Sequence, residues 1–475
     1  MPKNFRTYID SLDSSCPEEI VRVKKEVDPK FEATTFLRKL ELEGRSPLAI
    51  FPKVKNLNGQ TSEYALAFNA FSSRKKLAVA LNLSPDQHKM EPVLELASRY
   101  KNQGTIEVVE KSAAPVKERV AVGEDIDLFS LPIPTHHSKD GGPYILGASV
   151  AMKNPETGVY NLAMLRMHVK DAKRTTIHAE LNHHSGMIIR ANKEAHKPTP
   201  VAFIIGHHPS FYLGSQWEGP YGRNEYEIAS AAMDEPLRVV PSETLGPDFL
   251  VPADAEFIIE GFVSPDEMDE EGPVGEHTRY YKTIRDGVVQ KRMDPVVHIT
   301  AITCRHDAIY LSNNMAHSDQ GFIGSLPKEA VIFERAKSCC PGVRAVYLTP
   351  GGVCRYICYI SLKQRVAGEA KDAIMAAFIS DWHIKFVVAV DEDVNIFSDQ
   401  EMLWAIATRT QPSKRFFVIP DAMGASLDPT VSFESSKPLT SKMGIDATRP
   451  YGEPFSDVCE VPLDMLDKLR IEEYL

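Results

Sequence analysis

The run Glu256-Phe257-Ile258-Ile259-Glu260-Gly261-Phe262-Val263, followed shortly by Glu270-Glu271-Gly272-Pro273-Val274-Gly275-Glu276-His277-Thr278, carries the reading of this sequence. The first part is short, β-branched and aromatic, the pattern of a buried strand. In the second part, four residues separate Glu271 from Glu276, and three of them are Gly or Pro. Such a composition forces a turn in place of a helix and allows close approach of backbone to a ligand. Two carboxylates held near one another push their pKa values apart, so one can act as an acid near neutral pH. The same residues also fit a solvated acidic loop, because Asp266, Glu267, Asp269 and Glu270 crowd just upstream.

Outward from this segment, the β-branched runs Ile145 to Met152, Val201 to Ile205 and Val296 to Thr303 alternate with turn-forming residues. That spacing predicts a barrel or sandwich-like domain, with helices intruding at His184 to Glu194 and Glu225 to Met233. On the N-terminal side the patterns alternate: a helix over Phe31 to Glu43, a strand over Pro47 to Val54, another short apolar run over Leu77 to Leu83, and a helix over Glu91 to Lys101. A Pro-rich connection through Leu131-Pro132-Ile133-Pro134 joins the two regions. Beyond a strand at Ala308 to Leu311, Val366, Ala370, Ile374, Ala377 and Phe378 share one face at helical spacing. A buried-type strand, Ile384 to Val390, and a helix, Glu401 to Arg409, follow. The tail ends in a charged helical stretch, Leu463 to Tyr474, suited to packing on a partner subunit.

At 475 residues the chain exceeds one compact core, and about 100–200 residues per domain suggests roughly three. A formal charge of −11, with no basic stripe, argues against nucleic acid or an anionic membrane as partner. The N-terminus lacks the apolar core of a signal peptide, and apolar runs are strand-sized. Seven scattered cysteines without a Cys-x-x-Cys pair read as reduced thiols of a cytoplasmic protein. Three histidine doublets, His136-His137, His183-His184 and His207-His208, invite a zinc reading, yet no H-E-x-x-H helix accompanies them. A hard divalent metal with Asn, His and Glu ligands beside phosphate fits better. Asn161 and Arg166, five apart on a strand, point to opposite faces and can serve neighbouring sites. Lys385, at the mouth of an apolar strand, suits a phosphate. No Gly-rich dinucleotide or Walker sequence is present.

The order of several phrases along the chain resembles the UbiD decarboxylase family over nearly its whole length. They include Asn69 to Arg74, Leu131-Pro132 through Asp140 to Tyr144, Asn161 to Arg166, Pro200 through Gly206, Glu225-Tyr226, Glu271 to Glu276, Val390 to Asp393 and Trp404 to Arg409. The resemblance implies an α/β multidomain chain: an N-terminal α/β domain at 1–112, a central split β-barrel flavin-binding domain at 113–305, and a C-terminal α/β oligomerisation domain with a tail helix at 306–475. It implies reversible decarboxylation of an aromatic or unsaturated acid with prenylated FMN as electron sink. Arg166, Glu271 and Glu276 would form the catalytic network, Glu276 delivering the proton. Asn161, His184 and Glu225 would hold Mn2+ or Mg2+ against the cofactor phosphate, with K+ nearby. Cofactor contacts would come from these residues and from Ala163, Met164, Leu165, Arg166 and Lys385. His184 is favoured over His183 by an ungapped count.

Asn313, Asn314 and Met315 would line the substrate pocket. Amides there favour a heteroaromatic acid of pyrrole, indole or phenazine type, the alternative being a phenolic acid. The implied partners are a small carboxylic acid, CO2, a flavin prenyltransferase that supplies the cofactor, and further copies of the chain in a homodimer or homohexamer. A metal-dependent hydrolase, a non-catalytic flavin-binding paralogue and a split-barrel flavin oxidoreductase stay open as other readings.

Overall fold

The computed structural model describes residues 2–180, 183–282, 289–431, 438–466 and 468–474. Its centre is one antiparallel sheet built around Phe257–Glu271 and Arg292–Cys304. From one edge to the other the strands run Tyr144–Ile145, Arg166–Asp171, Arg174–His178, Arg292–Cys304, Phe257–Glu271, Thr199–Ile205, Ala148–Lys153 and Tyr160–Met164. Arg119–Val122 adds to the far end of Arg292–Cys304. The chain leaves the last edge strand at Met164 and, one residue later, enters at Arg166 the strand second from the opposite edge. Only a sheet curled toward closure brings those two strands that close, so the sheet is a half-barrel. Register shifts near Gly261 and between Val263 and Met268 mark where its longest pair bends.

Two α/β modules flank the half-barrel. In the N-terminal module, Ile20–Arg22, Leu48–Phe51 and Ala65–Phe68 are joined by Ile309–Leu311, which enters from beyond the barrel in sequence and pairs parallel with Ala65–Phe68. The C-terminal sheet runs Val343–Leu348, Ile357–Leu362, Phe386–Asp391, Leu439–Asp446, Phe416–Met423. Helices Ser318–Cys339 and Glu369–Ser380 cover it. Buried polar ties bind the modules. Arg74 pairs with Glu329 at 2.7 Å, and the buried Asp319 carboxylate accepts from the backbone N–H of Asn69, Phe71 and Asn314.

The helices expected at His184 to Glu194 and Glu225 to Met233 are present with those limits. Other expectations need correction. The apolar run Leu77 to Leu83 lies largely in a helix, Arg74–Ala80, capped by the Ser73 hydroxyl, which accepts from the Lys76 N–H. Leu77 to Leu81 are all buried, and such a run carries no period that separates helix from strand. Val366 is exposed and precedes the helix whose buried face holds Ala370, Ile374, Ala377 and Phe378. The tail is not one helix: Leu463–Leu466 is a single turn and Ile471–Glu473 a separate 3-10 turn. The 22-residue helix Ser318–Cys339 went unforeseen, because Gly321, Gly324 and Pro327 break its pattern. All seven cysteines are free. No helix of the described residues is long and apolar enough to cross a membrane.

Candidate active site

Strand Phe257–Glu271 ends at the carboxylate expected to matter, and the Gly/Pro segment turns immediately after it. Gly272 has φ +96°, a left-handed conformation open to glycine. A second loop clamps the turn from outside. The Gly141 N–H donates to the Pro273 carbonyl at 2.7 Å, and the Gly275 N–H donates to Asp140 Oδ1 at 3.0 Å. Tyr281 donates to the same Asp140 oxygen at 3.1 Å. The fit leaves no room for side chains: a Cβ on Gly141 would lie 2.3 Å from the Gly272 oxygen, and one on Gly275 would lie 2.6 Å from His137 Nδ1. This turn is a rigid bend that buries both Glu271 and Glu276. It is not a solvated acidic loop.

Arg166, the first residue of its strand, reaches both carboxylates. Its Nε donates to Glu271 Oε1 at 3.1 Å, Nη2 to Glu271 Oε2 at 3.3 Å, and Nη1 to Glu276 Oε1 at 2.8 Å. The expected carboxylate pair is therefore a carboxylate–guanidinium–carboxylate row. The positive charge lies between the acids, which corrects the picture of two carboxylates acting directly on each other. Burial opposes the charged guanidinium, but Glu276 and Glu271 outweigh it and raise Arg166 above its ordinary value. Tyr144, which sequence reasoning did not single out, donates to Glu271 Oε1 at 2.9 Å and stacks on His168 with centroids 4.5 Å apart. Burial, then the charge of Glu271, pushes its phenol far above the usual range, so it remains a donor. Only its place at the end of the Asp140 to Tyr144 phrase could have marked it.

One residue of irregular backbone, Leu165, separates this row from a second cluster on the adjoining strand. Asn161 Nδ2 donates to Glu225 Oε2 at 2.8 Å, and the Leu162 N–H donates to the same oxygen at 2.5 Å. His184 Nδ1 lies 3.3 Å from Glu225 Oε1, and Ser185, also unforeseen, donates to Asn161 Oδ1 at 2.7 Å. His183 is exposed at the N-cap of its helix, so the ring facing the cluster is that of His184. Among the described residues the basic side chain within ion-pair reach of buried Glu225 is this imidazole, with no Lys or Arg. A buried carboxylate so lightly compensated, beside an amide oxygen and an imidazole, fits a hard divalent cation. No cluster of three or more His, Cys, Asp or Glu among the described residues could hold a metal ion, so this site depends on its asparagine.

Lys385 belongs to neither group. Its ammonium pairs with Asp428 at 2.7 Å and donates to Thr430 at 2.9 Å in the C-terminal module. Beside it, Tyr356 faces His277 across 6.2 Å between ring centroids. Asn313 and Asn314 are buried after Ile309–Leu311, and Met315 packs on Tyr144, Leu146 and Val274, the wall of the carboxylate row. Asn313 Oδ1 is buried with no hydrogen-bond partner among the described residues. The other doublets are structural: His136 and His207 are buried, and burial lowers each to about 3.

Three family models match in sequence. They are described as the 3-octaprenyl-4-hydroxybenzoate carboxy-lyase N-terminal domain (residues 16–96), Rift-related domain (107–317) and C-terminal domain (321–447). The chain is 30% identical to an anhydromevalonate phosphate decarboxylase of Methanothermobacter thermautotrophicus, covering 94% of this chain and 97% of that one. It is also 30% identical to a phenolic acid decarboxylase of Sedimentibacter hydroxybenzoicus, covering 94% and 92%. The UbiD-class enzyme HmfF from Pelotomaculum thermopropionicum, solved with FMN, superposes with a TM-score of 0.89 at 36% identity over 99% and 100% of the chains. An evolved dimeric form of HmfF with prFMN gives 0.86 at 34% identity, covering all of both chains.

Proposed function

The chain belongs to the UbiD family and is a carboxy-lyase of that type; from that premise we propose that it decarboxylates a heteroaromatic acid, reversibly, on a prenylated FMN, with Glu276 as proton donor. The observation that carries the reading is the Arg166 guanidinium held between two buried carboxylates at the mouth of the half-barrel. Asn161, His184 and Glu225 would hold Mn2+ or Mg2+ against the cofactor phosphate, with K+ beside it. Ala163, Met164, Leu165 and Arg166 would supply the adjoining contacts, and Lys385 a further charge. Bound there, the flavin supplies the electron sink for the pair left when CO2 departs.

Glu276 then protonates the vacated carbon, and in the carboxylation direction it removes that proton. Arg166 orients Glu276, while Tyr144 and Arg166 together hold Glu271 in place. Asn313 Oδ1, a buried acceptor without a partner among the described residues, suits a ring N–H of pyrrole or indole type and supports the heteroaromatic class. The second reading, a phenolic acid, draws on the Sedimentibacter relative. Further copies of this chain and a flavin prenyltransferase complete the proposed partners.

The test is co-expression with a flavin prenyltransferase, followed by cofactor mass, metal content and turnover of pyrrole-2-carboxylate against 4-hydroxybenzoate. Glu276→Gln should reduce decarboxylation by about 10²–10⁴-fold while the bound flavin is unchanged. Ordinary turnover in that variant would remove Glu276 from the role.

A further inference from the structure

A histidine that none of the steps above uses faces the carboxylate row from the neighbouring strand. His178 ends Arg174–His178, and in the sheet register it lies directly opposite Arg166. Residues paired in this way project on one face, so the imidazole and the Arg166 guanidinium share a side of the half-barrel. His178, Arg166, Glu271 and Glu276 line one cavity of about 30 Å³, the volume that one water molecule takes up in the liquid.

The surroundings of the ring suit a group that takes up and gives away a proton. Asp294 Oδ2 lies 3.0 Å from His178 Nδ1, and a carboxylate only accepts, so the hydrogen-bond network assigns a hydrogen to Nδ1. Asp294 is itself buried and held by Arg292, whose Nε donates to its Oδ1 at 3.1 Å. His178 Nε2 stands between two partners of opposite kind. Arg292 Nη1 donates to it at 3.2 Å, and Glu180 Oε1 lies 3.4 Å away. The guanidinium serves the neutral ring and the carboxylate serves the protonated one, so Nε2 has a partner in either state. Glu180 is half-exposed and joins this group to solvent. The other charges around the cavity are Lys282, which also lines it, and Arg166 with its two glutamates.

Each decarboxylation takes a proton from Glu276, and another must reach it before the next turnover. Arg166 cannot supply it, because a guanidinium keeps its hydrogens. We propose that His178 is the relay that recharges Glu276, with Asp294 as the residue that positions it. A solvent proton adds to Nε2. Nε2 then gives a proton to a water in the cavity, and that water gives one to the Glu276 carboxylate. One proton enters and one leaves, Nδ1 keeps its hydrogen on Asp294 throughout, and no electrons are transferred. This deepens the decarboxylase reading and rests on Glu276 as its acid.

Two measurements on flavin-loaded enzyme test it. In the first, turnover of pyrrole-2-carboxylate is compared in the parent, His178→Asn and His178→Ala. Asn keeps a donor for Asp294 but relays no proton, so both variants should lose kcat by about tenfold or more, with KM and bound flavin unchanged. Added imidazole should restore kcat in His178→Ala, and its methyl derivatives should do so in the order of their acid strength. Parent-like kcat in His178→Asn, or a loss in His178→Ala that no imidazole repairs, overturns the relay and leaves His178 a structural residue. The second measurement needs no substrate: nitrogen NMR of the His178 ring, its signal identified by its absence in His178→Asn. Nδ1 should carry the hydrogen of the neutral ring. Glu276→Gln should move the ring's titration to lower pH, because a neutral amide replaces a carboxylate across the cavity. A neutral ring with its hydrogen on Nε2, or a titration indifferent to Glu276→Gln, overturns the proposal whatever the turnover. Both NMR results as expected, with no turnover of pyrrole-2-carboxylate by the parent, support the link from His178 to Glu276 and count against the heteroaromatic substrate class.

Discussion

Arg166 is the residue on which the site turns. Substituting Met would leave Glu271 and Glu276 buried without their cation, and breaking a buried pair costs about 3–5 kcal/mol. Arg166→Met should therefore lower the unfolding temperature as well as abolish turnover, whereas Glu276→Gln should spare stability far more; calorimetry on both variants separates the effects. Tyr144→Phe removes one hydrogen bond to Glu271. Because the phenol titrates far above the usual range, the loss of activity in this variant should be the same factor from pH 6 to 9. A pH-dependent ratio would show that Tyr144 exchanges its proton. Lys385→Ala should lower flavin retention if its charge serves the cofactor phosphate. Unchanged retention would confine Lys385 to its pairing with Asp428. The buried His136 and His207 add a pH dependence of stability. Each is lowered by burial from 6.5 to about 3, so between those values the unfolded chain binds protons that the folded chain refuses. Stability is undiminished above about pH 6.5 and falls as pH drops through that window toward 3. Urea midpoints at pH 7.5, 6 and 5 should descend in that order.

The decisive element is the turn 272–276 with its clamp from 137–141. Its position depends on backbone approaching backbone, as at Gly141 against the Gly272 oxygen. Gly141→Ala puts a methyl group where neither chain can yield, an overpacking worth about 1–3 kcal/mol. Turnover should fall by about tenfold or more through displacement of Glu276, with bound metal and flavin retained because Asn161, His184 and Glu225 lie on another strand and two helices. The turn was legible in the sequence, since Gly and Pro spacing excludes helix and strand alike. The long helix Ser318–Cys339 was not. Its glycines make room for Cys354 and Arg355, and Pro327 lies within it, so contacts from a loop of its own module, distant in sequence, outweigh the local signal that would end a helix.

Across the whole molecule, the three modules are tied by buried charges more than by linkers. Asp319 accepts three backbone N–H groups, two from the loop at Asn69–Phe71 and one from Asn314. Asp319→Ala would leave these donors buried and unsatisfied, at about 1–3 kcal/mol each. The expected outcome is loss of the cooperative unfolding of the N-terminal module together with the rest, visible as a second calorimetric transition. The strand Ile309–Leu311 serves the same end, placing the proposed substrate residues Asn313 to Met315 beside the barrel while its pairing stays in the N-terminal sheet.

Chain chemistry alone determined the strand and turn alphabet, the two cavity-side helices at 184–194 and 225–233, and which acidic, basic and amide side chains were worth watching. These follow from short-range rules, hydrophobic period and the conformational range of Gly and Pro, which need no partner. The family resemblance already grouped Arg166 with the two glutamates; only the tertiary structure decided how its guanidinium divides between them, that Tyr144 and Ser185 complete the two clusters, and that Arg355 meets Arg279 across a cavity. Those pairs join residues 76 positions apart or more in several cases. Their meeting depends on the curl of one antiparallel sheet and on where neighbouring modules press against it, and no local period records either.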